Sequence, residues 1–110
     1  ALVRAHQRGV KVKGFIHQHN SFAMSYIWRN RSTMKRMRAS GIEDLHMSVP
    51  NKFSHAKFIV VDGKELALGT GNWLKEDVFI HPQLYVQLKD VMLAKKLIQF
   101  VEWEIEHESV

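Results

Sequence analysis

The sequence predicts an α/β fold, a mixed sheet flanked by helices, from three observations. Short stretches alternate apolar and polar residues, two longer stretches carry apolar residues at helical spacing, and an Asp-Gly pair sits between two apolar runs. Ala1 to Arg8 reads as the end of a helix, with Gly9 where a left-handed cap is expected. Val10, Val12 and, after Gly14, Ile16 alternate with Lys11 and Lys13, which predicts a strand with one wet face. His17 to Ser21 is polar and loop-like. From about Ser25 to Ser40 no Gly or Pro intervenes; Met24, Ile27, Met34 and Met37 can share one helical face, and Gly41 stops the helix. Ile42 to Val49 supplies a short strand closed by Pro50 and Asn51. Ala56 to Val61 and Glu65 to Leu68 flank Asp62-Gly63, a strong hairpin signal, and Leu84, Val86 and Leu88 alternate as a further strand. Val91 to Glu106 closes as a helix with an inward stripe of Ala94, Leu97, Ile98, Val101 and Ile105. Glu102, Glu104, Glu106 and Glu108 crowd its C-terminal end, where the macrodipole disfavours anions, so fraying is expected there.

Composition narrows the chemistry. The 110 residues suffice for one small domain, residues 1–110, and no linker, repeat or low-complexity tract divides them. The absence of cysteine removes disulfides, thiolate nucleophiles and thiolate metal sites together. The longest uninterrupted apolar run, Phe58 to Val61, is far short of the roughly 20 residues a membrane span needs. A net charge of +5 favours anionic partners such as nucleic acid, phospholipid head groups or phosphate esters, without choosing among them.

The stretch from Phe53 to Trp73 carries the chemistry. If Asp62 and Gly63 are the two central residues of a tight turn, Val61 faces Lys64, Lys57 faces Leu68 and His55 faces Thr70. Alternation then puts His55, Lys57, Thr70 and Asn72 on one face near the open end, with Phe58, Val60 and Ala67 pointing into a core. A candidate nucleophile, a point charge, a hydroxyl and a neutral amide donor thus converge, as attack on a phosphoryl centre requires.

His55-x-Lys57, four residues, Asp62, then six residues to Gly69-Thr70-Gly71-Asn72 resembles the HxKxxxxD motif and trailing Gly-Ser/Thr-x-Asn of the phospholipase D superfamily. The segment from Ala1 to Val12 is similar to the helix-to-strand element that precedes this motif, and the last helix to the family's closing element. The wording His55-Ala56-Lys57 with Val60-Val61-Asp62-Gly63 is similar to the C-terminal half of bacterial cardiolipin synthases. The resemblance implies a phospholipase D-like half-domain and a two-step phosphodiesterase or phosphatidyltransferase reaction through a phosphohistidine, with no metal or cofactor. It casts His55 as nucleophile, Lys57 and Asn72 as holders of the nonbridging oxygens, Asp62 in a structural role at the turn, and Thr70, between Gly69 and Gly71, as a donor to the phosphate or a neighbour. A histidine from a second copy of the motif protonates the leaving group.

Two departures bear on activity. Where the family carries Asn-x-Glu, this chain has His81-Pro82-Gln83; Gln83 can accept a hydrogen bond from His55 but supplies no charge to stabilise an imidazolium. The family's first strand is also missing, and one motif is half an active site, so the chain is expected to pair with itself about a two-fold axis or to be half of a longer polypeptide. Expected partners are therefore a phospholipid or nucleic-acid phosphodiester and a second half-site, with peripheral membrane contact and a cytoplasmic or membrane-surface location. The alternatives are a single-motif dimeric nuclease and a non-catalytic domain of the same fold.

Weaker signals remain. Arg29, Arg31, Lys35, Arg36 and Arg38 make the second helix basic, either as a phosphate-attracting patch or as a solvated face. Tyr26 and Trp28 beside them can stack on bases, sit at a lipid interface or pack. His17 and His19 have a spacing that can bind metal, but no third ligand stands near in sequence.

Overall fold

A computed structural model describes residues 1–17, 24–50, 54–73 and 79–110, with the backbone alone for 24–27. It contains helices α1 (Leu2–Gln7), α2 (Met24–Ala39) and α3 (Val91–Glu108) and strands β1 (Gly14–Ile16), β2 (Leu45–Met47), β3 (Phe58–Val61), β4 (Glu65–Gly69) and β5 (Tyr85–Lys89). The fold is α/β with flanking helices, its parallel and antiparallel pairings divided between two sheets. The chain packs as two compact units, Ala1–Ser54 with Trp103–Val110, and His55–Glu102.

In the first unit β1 and β2 pair in parallel, Gly14 opposite Leu45 and Ile16 opposite Met47, with α2 between them in sequence, as a parallel connection requires. The expected strand from Val10 is confined to its last three residues, Gly14–Ile16, the length that β2 matches. Both helix stops are of one kind. Gly9 and Gly41 adopt φ +94 and +96, and the Ile42 N–H reaches back to the Met37 carbonyl at 3.1 Å while Gly41 N–H bonds Arg38. That turn delivers Ile42, 1% exposed, into a core with Met34, Leu45 and Met47, against which Val3, Val12, Ile16 and Met37 pack. The side chains of Met24 and Ile27 lie outside the described residues.

The acidic end of α3 does not fray. Glu104 is buried, and its Oε2 meets His17 Nε2 at 2.9 Å, with the two side chains 5% and 14% exposed. Val49 N–H donates to the Glu108 carbonyl at 2.7 Å and Val110 N–H to that of Met47 at 2.9 Å, with Ser48 bridging Ser109. The Glu108 carbonyl at the helix end therefore gains a partner from the segment that follows β2, and His17 gives one of the four glutamates a partner that the helix sequence does not reveal. Burial raises the Glu104 carboxyl above its ordinary 4.5 and Glu108 adds to the rise, while His17 opposes it. The folded chain holds this proton more tightly than the unfolded one, so the stability it confers is full below pH 4.5 and is lost as pH rises through the raised value. Glu104→Gln is expected to remove this component, so that the Tm difference between variant and wild type shifts in the variant's favour as pH climbs, measured by scanning calorimetry across that range.

In the second unit β3, β4 and β5 form an antiparallel sheet in that order. Asp90 starts α3 as its N-cap, its Oδ1 accepting from Leu93 N–H at 2.9 Å. Val60, Leu66 and Leu88 pair across the three strands on one face, and Leu66 and Ala94 are buried. Ile98, expected inward, is 37% exposed. The hairpin corrects the expected register. Val61 pairs with Glu65, not Lys64, so the connection is Asp62-Gly63-Lys64. Asp62 and Gly63 are both left-handed, φ 55 and 66, and Lys64 N–H closes the turn on Val61 at 3.2 Å, as a two-residue turn does. The Lys64 carbonyl, however, accepts from Asp90 N–H at 2.9 Å, and Glu65 is held between Val61 and Lys89, whose ammonium meets its carboxylate at 3.3 Å. These bonds draw Lys64 out of the ladder. Ala67 consequently pairs with Ile59, on the face opposite Val60 and Leu66, and not into the expected core.

Candidate active site

The β3–β4 ladder ends where Gly69 N–H donates to the Lys57 carbonyl at 3.3 Å, placing Gly69, not Leu68, opposite Lys57. Beyond this step both chains leave regular strand geometry, so alternation no longer dictates which way Thr70 and Asn72 point. The expected pairing of His55 with Thr70 is therefore replaced by two local arrangements.

The first is an imidazole held by an ammonium. Lys57 Nζ donates to His55 Nδ1 at 2.9 Å, with His55 exposed and Lys57 half-buried. An ammonium has only donors, so this contact engages the Nδ1 lone pair and, in the neutral ring, leaves the proton on Nε2. The second is a clasp at Thr70. Its N–H donates to the Leu84 carbonyl at 3.0 Å, its hydroxyl accepts from Leu84 N–H at 3.1 Å and donates to Gln83 Oε1 at 2.8 Å. Gln83, expected to accept from His55, thus has the Thr70 hydroxyl as its donor. The reason is local, because Gly69 pairs with Tyr85, and continuing that register brings Thr70 beside Leu84 and Gln83.

Tyr85 is the site residue that motif reading missed. Its ring lies against both glycines of Gly69-Thr70-Gly71, and Trp73 packs on it with ring centroids 5.5 Å apart. Its hydroxyl is buried with no hydrogen-bond partner among the described residues. The signal available in the sequence was a tyrosine facing a Gly-x-Gly across two strands, legible once the register is known. Asn72 is exposed on the bend that follows Gly71, and Asp62 stands at the turn, at the far end of β3 from His55. His17 is engaged by Glu104, His19 lies outside the described residues, and among the described residues no three His, Cys, Asp or Glu cluster to hold a metal.

Of the two arrangements, the imidazole beside an ammonium is the pair whose chemistry suits holding an oxyanion and attacking its central atom. A comparison with curated proteins finds no match. A comparison with family models matches residues 1–104 to the cardiolipin synthase, PLD-like domain, a span that takes in all of the second unit, most of the first and every residue of this site. The chain belongs to that phospholipase D-like family.

Proposed function

We propose that the chain is a phospholipid-acting phosphodiesterase or phosphatidyltransferase half-site, working through a phosphohistidine at His55. The observation that carries this reading is the contact of Lys57 Nζ with His55 Nδ1 at 2.9 Å, within a chain matched over residues 1–104 by the cardiolipin synthase family. In the resting site the ammonium occupies a lone pair of the nucleophile. An incoming phosphodiester attracts that ammonium to its nonbridging oxygens, releasing the imidazole as it gains the charge it needs on phosphorus. A ring nitrogen then forms the N–P bond as the ester P–O bond breaks. The leaving alkoxide takes a proton from the histidine of a second motif, which next deprotonates the attacking alcohol or water, and the N–P bond breaks to regenerate His55. Asn72 adds a neutral donor to the phosphoryl oxygens, and the Thr70–Gln83 clasp holds its loop. Asp62 fixes the turn. The second motif comes from another copy of the chain or from a longer polypeptide.

The test is to incubate the protein with a phospholipid, quench in alkali, and map phosphorus by mass spectrometry, alongside assays of phosphatidyl transfer and of DNA and RNA cleavage. A phosphorylated His55 with lipid turnover supports the reading. Nucleic-acid cleavage without lipid turnover replaces it with a nuclease, and the absence of any phosphoenzyme replaces it with a non-catalytic domain. On the same reading Gln83→Glu is expected to raise turnover about tenfold, because a carboxylate beside the site stabilises the imidazolium and still accepts from Thr70; steady-state kcat with equal protein folding by circular dichroism checks it.

A further inference from the structure

Trp103–Val110, the last turns of α3 and the two residues after it, belongs to the first unit, whereas the earlier turns of the same helix belong to the second. This segment is strapped across the carboxyl ends of both parallel strands. At the end of β2 it is held by Val49 N–H on the Glu108 carbonyl, by the Ser48–Ser109 bridge and by Val110 N–H on the Met47 carbonyl. At the exit of β1 it is held by Glu104 on His17, whose Nε2 lies 2.9 Å from the carboxylate. Apolar burial adds little. Of the eight residues of the strap only Glu104 is buried, while Trp103 and Val110 are 50% and 77% exposed. The side chain that anchors the strap is therefore one that titrates. Its partner is fixed by other contacts, because Phe15 meets the His17 ring edge-on with centroids 5.0 Å apart and Asn30 donates to the His17 carbonyl at 3.4 Å. The charged groups that act on Glu104 are His17 from β1 and Glu108, one turn along its own helix. From the other elements, α2 meets His17 through the uncharged Asn30, and the end of β2 meets the strap through Ser48 and Val49.

The contact between His17 and Glu104 uses one proton, the one shared between Nε2 and the carboxylate. A second proton, on Nδ1 or on the carboxyl, makes the pair neutral as a whole. Without it a buried carboxylate is left with a neutral donor on one side and Glu108 on the other, a costly arrangement that contact with water relieves. The direction is that of the raised Glu104 carboxyl, which burial, aided by Glu108 and opposed by His17, keeps protonated above its ordinary 4.5. We propose that Trp103–Val110 is a proton-governed strap, latched over the ends of β1 and β2 while the His17–Glu104 pair carries its second proton, and lifted from an otherwise folded first unit when that proton leaves. Lifting frees the Met47 carbonyl and the Val49 N–H and opens the buried Ser48 to water, so the carboxyl ends of the parallel strands become accessible as pH rises. The inference is independent of the chemistry assigned to His55.

The experiment is native-state amide exchange on the full chain, followed by NMR from pH 4.5 upward and at low urea, with each rate corrected for its intrinsic dependence on pH. The Val49 and Val110 amides report the strap, and the amide of the buried Ile42, bonded to the Met37 carbonyl at 3.1 Å, reports unfolding of the unit as a whole. Val49 and Val110 are expected to exchange faster than Ile42, through an opening that urea scarcely changes, since lifting the strap exposes little surface. The opening constant should climb with pH by up to about tenfold per pH unit, the limit set by one proton. Glu104→Gln has no proton to lose and its amide oxygen still accepts from an imidazole N–H, so the climb should vanish. Glu108→Gln removes the neighbouring charge that helps to hold the proton, so the climb should end at a lower pH. This second variant leaves the His17–Glu104 contact intact and keeps the test decisive if the first does not fold. Equal exchange of Val49, Val110 and Ile42, a flat pH profile in the unsubstituted chain, a climb that survives Glu104→Gln, or one that Glu108→Gln leaves unmoved would each overturn the inference. None of these readouts bears on whether His55 becomes phosphorylated.

Discussion

His55→Ala is expected to lower phosphodiester turnover by about four orders of magnitude or more, because the proposed reaction runs through a covalent bond to this imidazole. His55 is exposed, so the loss should come with a Tm within about 0.5 kcal/mol equivalent of the wild type. Lys57→Ala separates two roles that activity alone merges. Removing one charge from the phosphoryl oxygens should lower kcat about 10²- to 10³-fold. The same substitution removes the donor that engages His55 Nδ1 at 2.9 Å, so the imidazole should become more reactive toward a small electrophile such as diethylpyrocarbonate, mapped at His55 by mass spectrometry. Slower transfer with faster acylation is the expected combination. If acylation slows as well, or stays the same, Lys57 does not occupy the lone pair in the resting site, and the release step on substrate binding must be abandoned. Combining both substitutions should cost no more than His55→Ala alone, since both act on one step.

How far the sequence discloses this site depends on which residues are asked about. Gly9 and Gly41 announce their helix ends because a left-handed backbone has few other occupants, and both are found there. The order of strands and helices follows from alternation and helical spacing, which are local properties. The turn at Asp62-Gly63 is equally local and is found, yet its consequence is not, because Lys64 is drawn from the ladder by Asp90, a residue far along the chain. A shift of one residue is enough to exchange the faces of Ala67 and to separate His55 from Thr70, while the spacing of the motif is untouched. Glu104 shows the same limit in another form. Four glutamates at a helix end read as a repelling, fraying cluster until His17 and the β2 segment come into reach, and neither is signalled by the residues around it. Charge was legible in amount but not in use: of the one lysine and four arginines of α2, Arg31, Lys35 and Arg38 line a groove against β2 and Arg29 and Arg36 do not line it, a distinction that depends on where β2 lies. Tyr85 was hidden for a related reason, since its importance arises from what the two glycines opposite it lack.

Gly69→Ala and Gly71→Ala are expected to be the most destabilising small substitutions in the motif, and for reasons that can be told apart. A Cβ at Gly69 would stand 2.4 Å from the Leu84 carbonyl oxygen and 2.6 Å from Tyr85 Cδ1. Backbone cannot yield without breaking the bonds that tie β4 to β5 and Thr70 to Leu84, so a cost of about 3 kcal/mol is expected, lowering Tm by roughly 10 °C or more in a domain of this size. A Cβ at Gly71 would stand 2.2 Å from the Tyr85 hydroxyl, 2.9 Å from Gln83 Cγ and 3.0 Å from Tyr85 Cζ, all side-chain atoms. The phenol can retreat in part, so about 1–2 kcal/mol is expected. Tyr85→Phe distinguishes the two. By itself it removes a buried hydroxyl without a partner among the described residues and should leave stability unchanged or raised. Added to Gly71→Ala it removes the closest clash and should restore part of the lost Tm, whereas added to Gly69→Ala it leaves the Leu84 carbonyl in place and should restore nothing. A double-mutant cycle read by thermal melts gives the coupling directly, large for the first pair and near zero for the second. Equal rescue of both would mean that the loop rests on the tyrosine alone and that the Thr70–Leu84 clasp does not fix it. Because Asn72 follows Gly71 immediately, the same cycle read by kcat should show turnover recovering with stability only in the Gly71 pair.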